Sequence, residues 1–319
     1  MVSVAHTRHL EMLFRRLLFP AAATLARAGE VRSFTLTSRA AGAVRHLSVS
    51  PRRQQLGAFL HSSEPLSRSS TGRTASKVSR GMATGEGAGS GEILNLKTAQ
   101  DVVDFWFGTD LARLASDEEY GQSFGAKWFG IGPPDQAFID TQNASKELMA
   151  KAGSGELKGE EWETPKGALA RLLLLDQFPR TVYRGTSQAF ANDETAASLS
   201  LEIISKGWDT VDAQNYTFQQ RLFVYLPLMH SERIEAQDAC VSKVKALVDD
   251  EMKATGSANS LVHDMALEHR GVVAKFGRFP HRNAALGRES TPEELQWLSS
   301  DDIPAWAKSQ GASEPSSPS

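Results

Sequence analysis

Leu172 to Arg184 reads LLLLDQFPRTVYR, and this stretch decides the fold. Its four consecutive leucines follow Leu169, so apolar side chains wrap most of a helix instead of forming one stripe, and a helix apolar nearly all round belongs at the centre of a bundle. Thr164-Pro165 opens it, an N-cap followed by the residue best tolerated at the first helical position. Pro179 predicts its end, because proline lacks the N–H that the helix needs and its ring strikes the preceding turn. Asp176 shares a face with Leu169, Leu172 and Leu173. Its carboxylate therefore points to the core edge, where it must be paired or have its pKa raised by desolvation.

Working outward, the period stays helical. Thr98 caps a segment containing Val102, Val103, Phe105, Trp106 and Phe107, with Asp101 in the capping-box position. Pro133-Pro134 is expected to open a second helix running through Phe138 and Met149 to Gly153. Further helices are predicted over 193–206, 217–226, 232–250, 258–276 and 292–299, with Gly207 and Gly277 as C-caps and Glu294 completing a capping box behind Thr291. The expected body is an all-α array of antiparallel helices over 91–303, followed by an aperiodic, disordered tail at 304–319. No repeat of about 34 residues is visible, so tetratricopeptide units cannot be read from periodicity.

The first ninety residues are a different material. Residues 1–90 hold twelve Arg and one Lys against four acids, net +9, which leaves −12 for the rest of a chain whose formal charge is −3. An Arg-, Ser- and Ala-rich, acid-poor segment without apolar periodicity has the composition of a transit peptide followed by a linker. Arg45-His46-Leu47-Ser48 has the form of a mitochondrial processing site, and mitochondrial import is the first expectation. A plastid signal is the alternative, since Leu17-Leu18-Phe19 leads through alanines to Ala26-Arg27-Ala28. Met82 is a candidate internal start. No stretch offers the ~20 uninterrupted apolar residues that span a bilayer, so no membrane insertion is expected. The body's acidity disfavours nucleic acid as a partner.

Three helix ends place polar groups directly after an apolar run and a proline: 175–185, 226–232 and 276–288. If the helices pack side by side, these junctions share a rim that gathers Arg180, Arg184, Arg278, Arg282 and Arg288 with His230 and His281. Guanidinium forks suit carboxylates and phosphates, which makes the five arginines candidate ligand-binding residues and His230, His281 and Asp176 candidate acid–base groups. Weighed equally is a structural reading, in which the arginines cap helix C-termini and pair with Asp176, Glu232 and Glu289. His269 lies mid-stripe between Met265 and Val273 and reads as a hydrogen-bonded core residue. The histidines lack the i, i+3 or i, i+4 pairing of helical metal motifs, so no metal and no cofactor are expected. Gly121-Gln122-Ser123-Phe124-Gly125 fits a nucleophile elbow in spacing, but no buried strand precedes it. His230-Ser231-Glu232 fits half a zinc-deaminase motif, and the lone Cys240 cannot supply the rest.

The strings DVVDFWFG (101–108), KWFG (127–130), LLLLDQFPRTVYR (172–184), AFAND (189–193), FVYLPLMHSE (223–232) and KFGRFPHRNAALGREST (275–291) resemble, in that order, the domain-of-unknown-function family 924. The resemblance covers about 95–300. It implies a tetratricopeptide-like, all-α fold and carries no assigned reaction or catalytic residue. Two functions stay open: an enzyme on, or binder of, a small anionic metabolite, and an adaptor that takes an acidic peptide in a tetratricopeptide-like groove. A deep pocket walled by Trp106, Trp128 or Phe279 would favour the first, and an open groove the second.

Overall fold

The computed structural model describes residues 92–311 except 131, 257, 259, 301 and 302. The expected transit peptide, its linker, Met82 and the end of the expected tail lie outside the described residues. Within them every regular element is helical. No described helix is long and apolar enough to cross a membrane.

Helix α1 (Ala99–Phe107) begins at Thr98 with the anticipated capping box, in which Thr98 accepts from the Asp101 amide and Asp101 accepts from the Thr98 amide. Short helices α2 (Leu111–Ser116) and α3 (Glu118–Phe129) follow, each started by an aspartate cap. Ser123, at the rejected nucleophile elbow, is mid-helix in α3 and donates to the Tyr120 carbonyl. Helix α4 (Gln136–Ala144) starts two residues beyond the expected Pro133-Pro134, because the Asp135 carboxylate caps the Phe138 amide. Helix α5 (Lys146–Ser154) then ends on Gly155 instead of Gly153; Gly155 adopts the left-handed conformation (φ 73°) that glycine enters without strain.

Helix α6 (Pro165–Leu172) starts at the Thr164 cap as predicted, and Leu172 to Leu175 are all essentially buried. The chain does not stop at Pro179. Leu173–Gln177 forms a π-helical turn and α7 (Phe178–Val182) continues beyond it, so the wide turn sits where a regular helix would drive the proline ring into a carbonyl four residues back. A 3₁₀ turn at Ser187–Phe190 leads into α8 (Asp193–Ser205). Helix α9 (Phe218–His230) runs through Pro227 to His230, four residues past its expected end, and is buried from Gln219 to Met229. Its open end is closed from outside: Gln237 Nε2 donates to both the Met229 and Ser231 carbonyls at 2.7 Å. Satisfying carbonyls that the helix itself cannot pair is what lets the helix reach His230.

Helices α10 (Ile234–Thr255) and α11 (Leu261–Phe276) complete a side-by-side series in which α8 packs on α9, α9 on α10 and α10 on α11. A 3₁₀ turn at Pro280–Arg282 and α12 (Pro292–Leu298) follow, the latter with the Thr291–Glu294 capping box read from the sequence. Ala305–Gly311 forms a further helix, α13, which corrects the expectation of an aperiodic tail from Pro304. Trp106 and Trp128 are core residues and not pocket walls: the Trp128 indole donates to the Trp106 carbonyl at 2.7 Å, and both rings pack on Phe223. Phe279, fully buried, belongs instead to a smaller cluster with Val272 and Val273.

Candidate functional site

The π-turn carries Asp176, α7 carries Arg180, the last position of α9 carries His230, the first position of α8 carries Asp193, and the turn after α11 carries Arg282. These five side chains form one network. Asp176 Oδ1 lies 2.8 Å from His230 Nδ1 and 2.9 Å from an Arg180 terminal nitrogen, and Gln177 donates to Oδ2 at 2.5 Å. Arg180 also donates to Asp193 Oδ1 at 3.0 Å and to the Ala189 carbonyl at 3.0 Å. Asp193 Oδ2 takes Arg282 at 3.0 Å. Two guanidinium groups are thus matched to two carboxylates, which is the condition for keeping four charges out of water.

The contact sets a tautomer. A carboxylate only accepts, so Nδ1 of His230 must carry the proton it gives to Asp176, and Nε2 is left as the basic nitrogen. Arg180 Nε at 3.3 Å from the same Nδ1 is then an electrostatic neighbour and no second bond. Burial opposes the ionised form of Asp176, but Arg180 and His230 overcome it and hold the carboxyl well below its usual range. For His230, burial and then the Arg180 charge outweigh Asp176, so its pKa falls below the ordinary histidine value and the ring is neutral at pH 7.

A second layer adjoins the first. His269 donates Nδ1–H to the Met265 carbonyl at 2.8 Å, one turn back in α11, which is the hydrogen-bonded core role read from sequence. Its ring centroid lies 6.3 Å from that of His230. Burial, followed by the nearby His230, brings the His269 pKa down to about 3. His281 follows the same course, burial and then Arg282 lowering it to about 2. The Arg282 guanidinium lies over Phe279 at 4.4 Å and Phe190 at 4.7 Å. Burial lowers its pKa to about 10 despite Asp193. His281 Nδ1 and Arg282 Nε are buried with no hydrogen-bond partner among the described residues.

Of the residues singled out in the sequence, Asp176, Arg180 and His230 meet directly, and Arg282 joins them through Asp193, with His281 next to it in the chain. Arg184 is exposed and shares with Arg180, Gly185, Ala189 and Phe190 a shallow depression of about 10 Å³, room for roughly one water. Arg278 and Arg288 serve other contacts. Arg278 grips Glu294 at 2.7 and 2.8 Å and the Glu289 carbonyl at 2.9 Å, tying α12 down. Arg288 makes a bidentate pair with Glu232 at 2.7 and 2.9 Å, and that carboxylate also takes the Phe279 amide. For Arg288 the Glu232 partner weighed in the sequence is the one found, whereas Arg278 takes Glu294 and meets Glu289 only at its backbone carbonyl. Sequence reasoning missed Asp193, which looks like an ordinary first-turn acid, and Trp306, which lies in the expected tail. Only the AFAND string, which ends on Asp193 at the start of α8, contained it.

An all-α protein with an internal Asp–His–Arg network at the junction of several helices is the class defined by this geometry. The chain belongs to the family described as bacterial protein of unknown function (DUF924), whose model matches residues 102–302 and so includes the whole Asp–His–Arg network. It is similar to a solved structure described as a protein of unknown function, ATU0120, from Agrobacterium tumefaciens, at 36% identity over 63% of this chain and 96% of that one, with a TM-score of 0.47. No curated protein matches the chain.

Proposed function

We propose that this protein binds a small anionic molecule beside Arg180 and Arg184 and moves a proton through His230. The observation that carries the reading is the buried Asp176 carboxylate 2.8 Å from His230 Nδ1. Such a carboxylate fixes the ring, leaves Nε2 free to take a proton and stabilises the imidazolium that results. A base must be neutral to act, and burial beside Arg180 keeps it so. The arginines at the depression supply the attraction for a carboxylate or phosphate group. The adaptor alternative draws less support, because the large aromatics of α1 and α3 are spent in the core and the polar groups lie inside the helix junction instead of along an open groove.

Nitrogen-15 spectra of the histidine rings test the proton-transfer role directly. The expected result is a neutral His230 protonated on Nδ1 at pH 7; protonation on Nε2 would sink it. Thermal-shift titration with phosphate and small carboxylates tests the anion, with stabilisation expected in the wild type and weakened about tenfold in Arg184→Ala, the loss of roughly 1.4 kcal/mol that one charge-assisted contact supplies. Equal shifts in both proteins would move the anion elsewhere. We also infer that residues 1–90 act as an organelle address, mitochondrial first and plastid as the alternative, on the strength of their arginine excess.

A further inference from the structure

The indole of Trp306, on α13, stacks on the His269 ring at 3.7 Å between centroids and 17° between planes. It meets Phe279 edge-on at 5.8 Å and His281 at 5.4 Å. The helix that brings it is seven residues long and packs on the Pro280–Arg282 turn. So short a helix has almost no stability of its own, and its docking rests on the indole with Ile303 and Ala307. The indole satisfies the apolar walls of the slot but not its polar groups. Trp306 Nε1 is turned to Glu268 at 3.2 Å, while His281 Nδ1 and Arg282 Nε stay buried without partners among the described residues. Unpaired buried polar atoms are costly. One belongs to His281, whose ring meets the indole, and the other to Arg282, whose guanidinium lies over Phe279, the ring the indole meets edge-on; the pair fits an occupant other than indole.

We propose that the slot held by Trp306 is a binding site for a flat aromatic carboxylate, whose ring takes the indole's place on His269 and whose carboxylate is received by His281 and Arg282. Trp306 is then a resident competitor, displaced when the ligand enters. The carboxylate is favoured over a neutral acceptor because Arg282 gives Asp193 only one of its terminal nitrogens while its Nε stays unpaired. A flat ring is favoured over an aliphatic one because the contact on His269 is face to face. The site rests on the preceding reading only for what happens to the ligand afterwards. His269, on which the ring would stack, is itself 6.3 Å from His230, between centroids.

The test is calorimetric titration of the full chain with indole-3-carboxylate, with indole and cyclohexanecarboxylate as comparison probes. The wild type should bind indole-3-carboxylate weakly, and Trp306→Ala at least tenfold more tightly. The two comparison probes should bind that variant at least tenfold more weakly. Adding His281→Phe, which keeps a ring but removes the nitrogen, should erase the preference for indole-3-carboxylate over indole. Trp306→Leu, which keeps apolar packing on α13, repeats the measurement should the alanine variant melt early. Equal affinity in wild type and both Trp306 variants would overturn the proposal. So would equal binding of indole and its carboxylate, which marks a plain cavity. His230→Asn should leave this binding intact, so a failure of the proton-transfer reading stays separate from a failure of the slot.

Discussion

Asp176 and His230 stand 54 positions apart and meet at 2.8 Å inside the protein, the carboxylate 1% exposed and its same oxygen also held by Arg180. The contact joins a π-turn to the end of a proline-containing helix. It also leaves Arg180, Arg282 and Asp193 dependent on one another for charge balance.

Removing one member should therefore cost more than removing an ordinary ion pair. Asp176→Ala leaves the Arg180 charge under-compensated in a site where the guanidinium is only 10% exposed. The expected loss is about 3–5 kcal/mol, the range for breaking a buried pair from one side. Urea denaturation of wild type and variant reads it directly. A loss under about 1 kcal/mol would mean that water reaches Arg180 and solvates it.

The same burial sets a pH dependence. His230, His269 and His281 all have folded pKa values below the unfolded value near 6.5, the last two at about 3 and 2. Below pH ~6.5 the unfolded chain takes up protons that the folded one refuses, so stability falls as pH drops, by about 1.4 kcal/mol per pH unit each for His269 and His281, with His230 acting in the same direction. Asp176, also depressed, adds its loss only below the unfolded aspartate value near 3.9. Melting temperature should be level above pH 7 and fall steadily between about 6.5 and 4. His281→Phe should make that fall shallower. A melting temperature unchanged down to pH 4.5 would show that the histidines reach water.

Gly167, in the first turn of α6, tests the packing that places the central helix. A Cβ there would stand 2.3 Å from the Glu161 carbonyl oxygen and 2.5 Å from Trp162 Cα, both backbone atoms that cannot swing aside. Gly167→Ala should destabilise by about 1–3 kcal/mol through overpacking, despite alanine's better helix propensity. A stabilised variant in chemical denaturation would mean that the 156–163 segment yields freely.

For the leader, residues 1–90 fused ahead of a fluorescent reporter should carry it into mitochondria, or into plastids on the alternative reading. The same reporter behind residues 82–90 alone should stay outside both. A diffuse cytosolic signal from the full fusion would remove the address.

The helical class was legible in the sequence because it depends on neighbours in the chain. The Thr98, Thr164 and Thr291 caps, the left-handed Gly277 and the buried leucines before Asp176 follow from local hydrogen bonding and from a 3.6-residue period. Asp176 could be read as a buried carboxylate in need of a partner from its helical face alone. Which partner it takes was a tertiary matter. The π-turn ahead of Pro179 and the capture of the α9 carbonyls by Gln237 set where Asp176 and His230 stand. Pro179 marks where the helix must deviate but not that it widens and continues, and the Gln237 contact has no local signature. Five arginines at similar helix ends look alike in sequence. Only packing distinguishes Arg180 and Arg282, which share Asp193, from Arg278 and Arg288, which fasten the C-terminal turns to Glu294 and Glu232. The reason is physical: the chain dictates which side chains can be charged and where helices begin, but charge pairing inside a protein is decided by distances of 3 Å between segments that only the packed helices bring together.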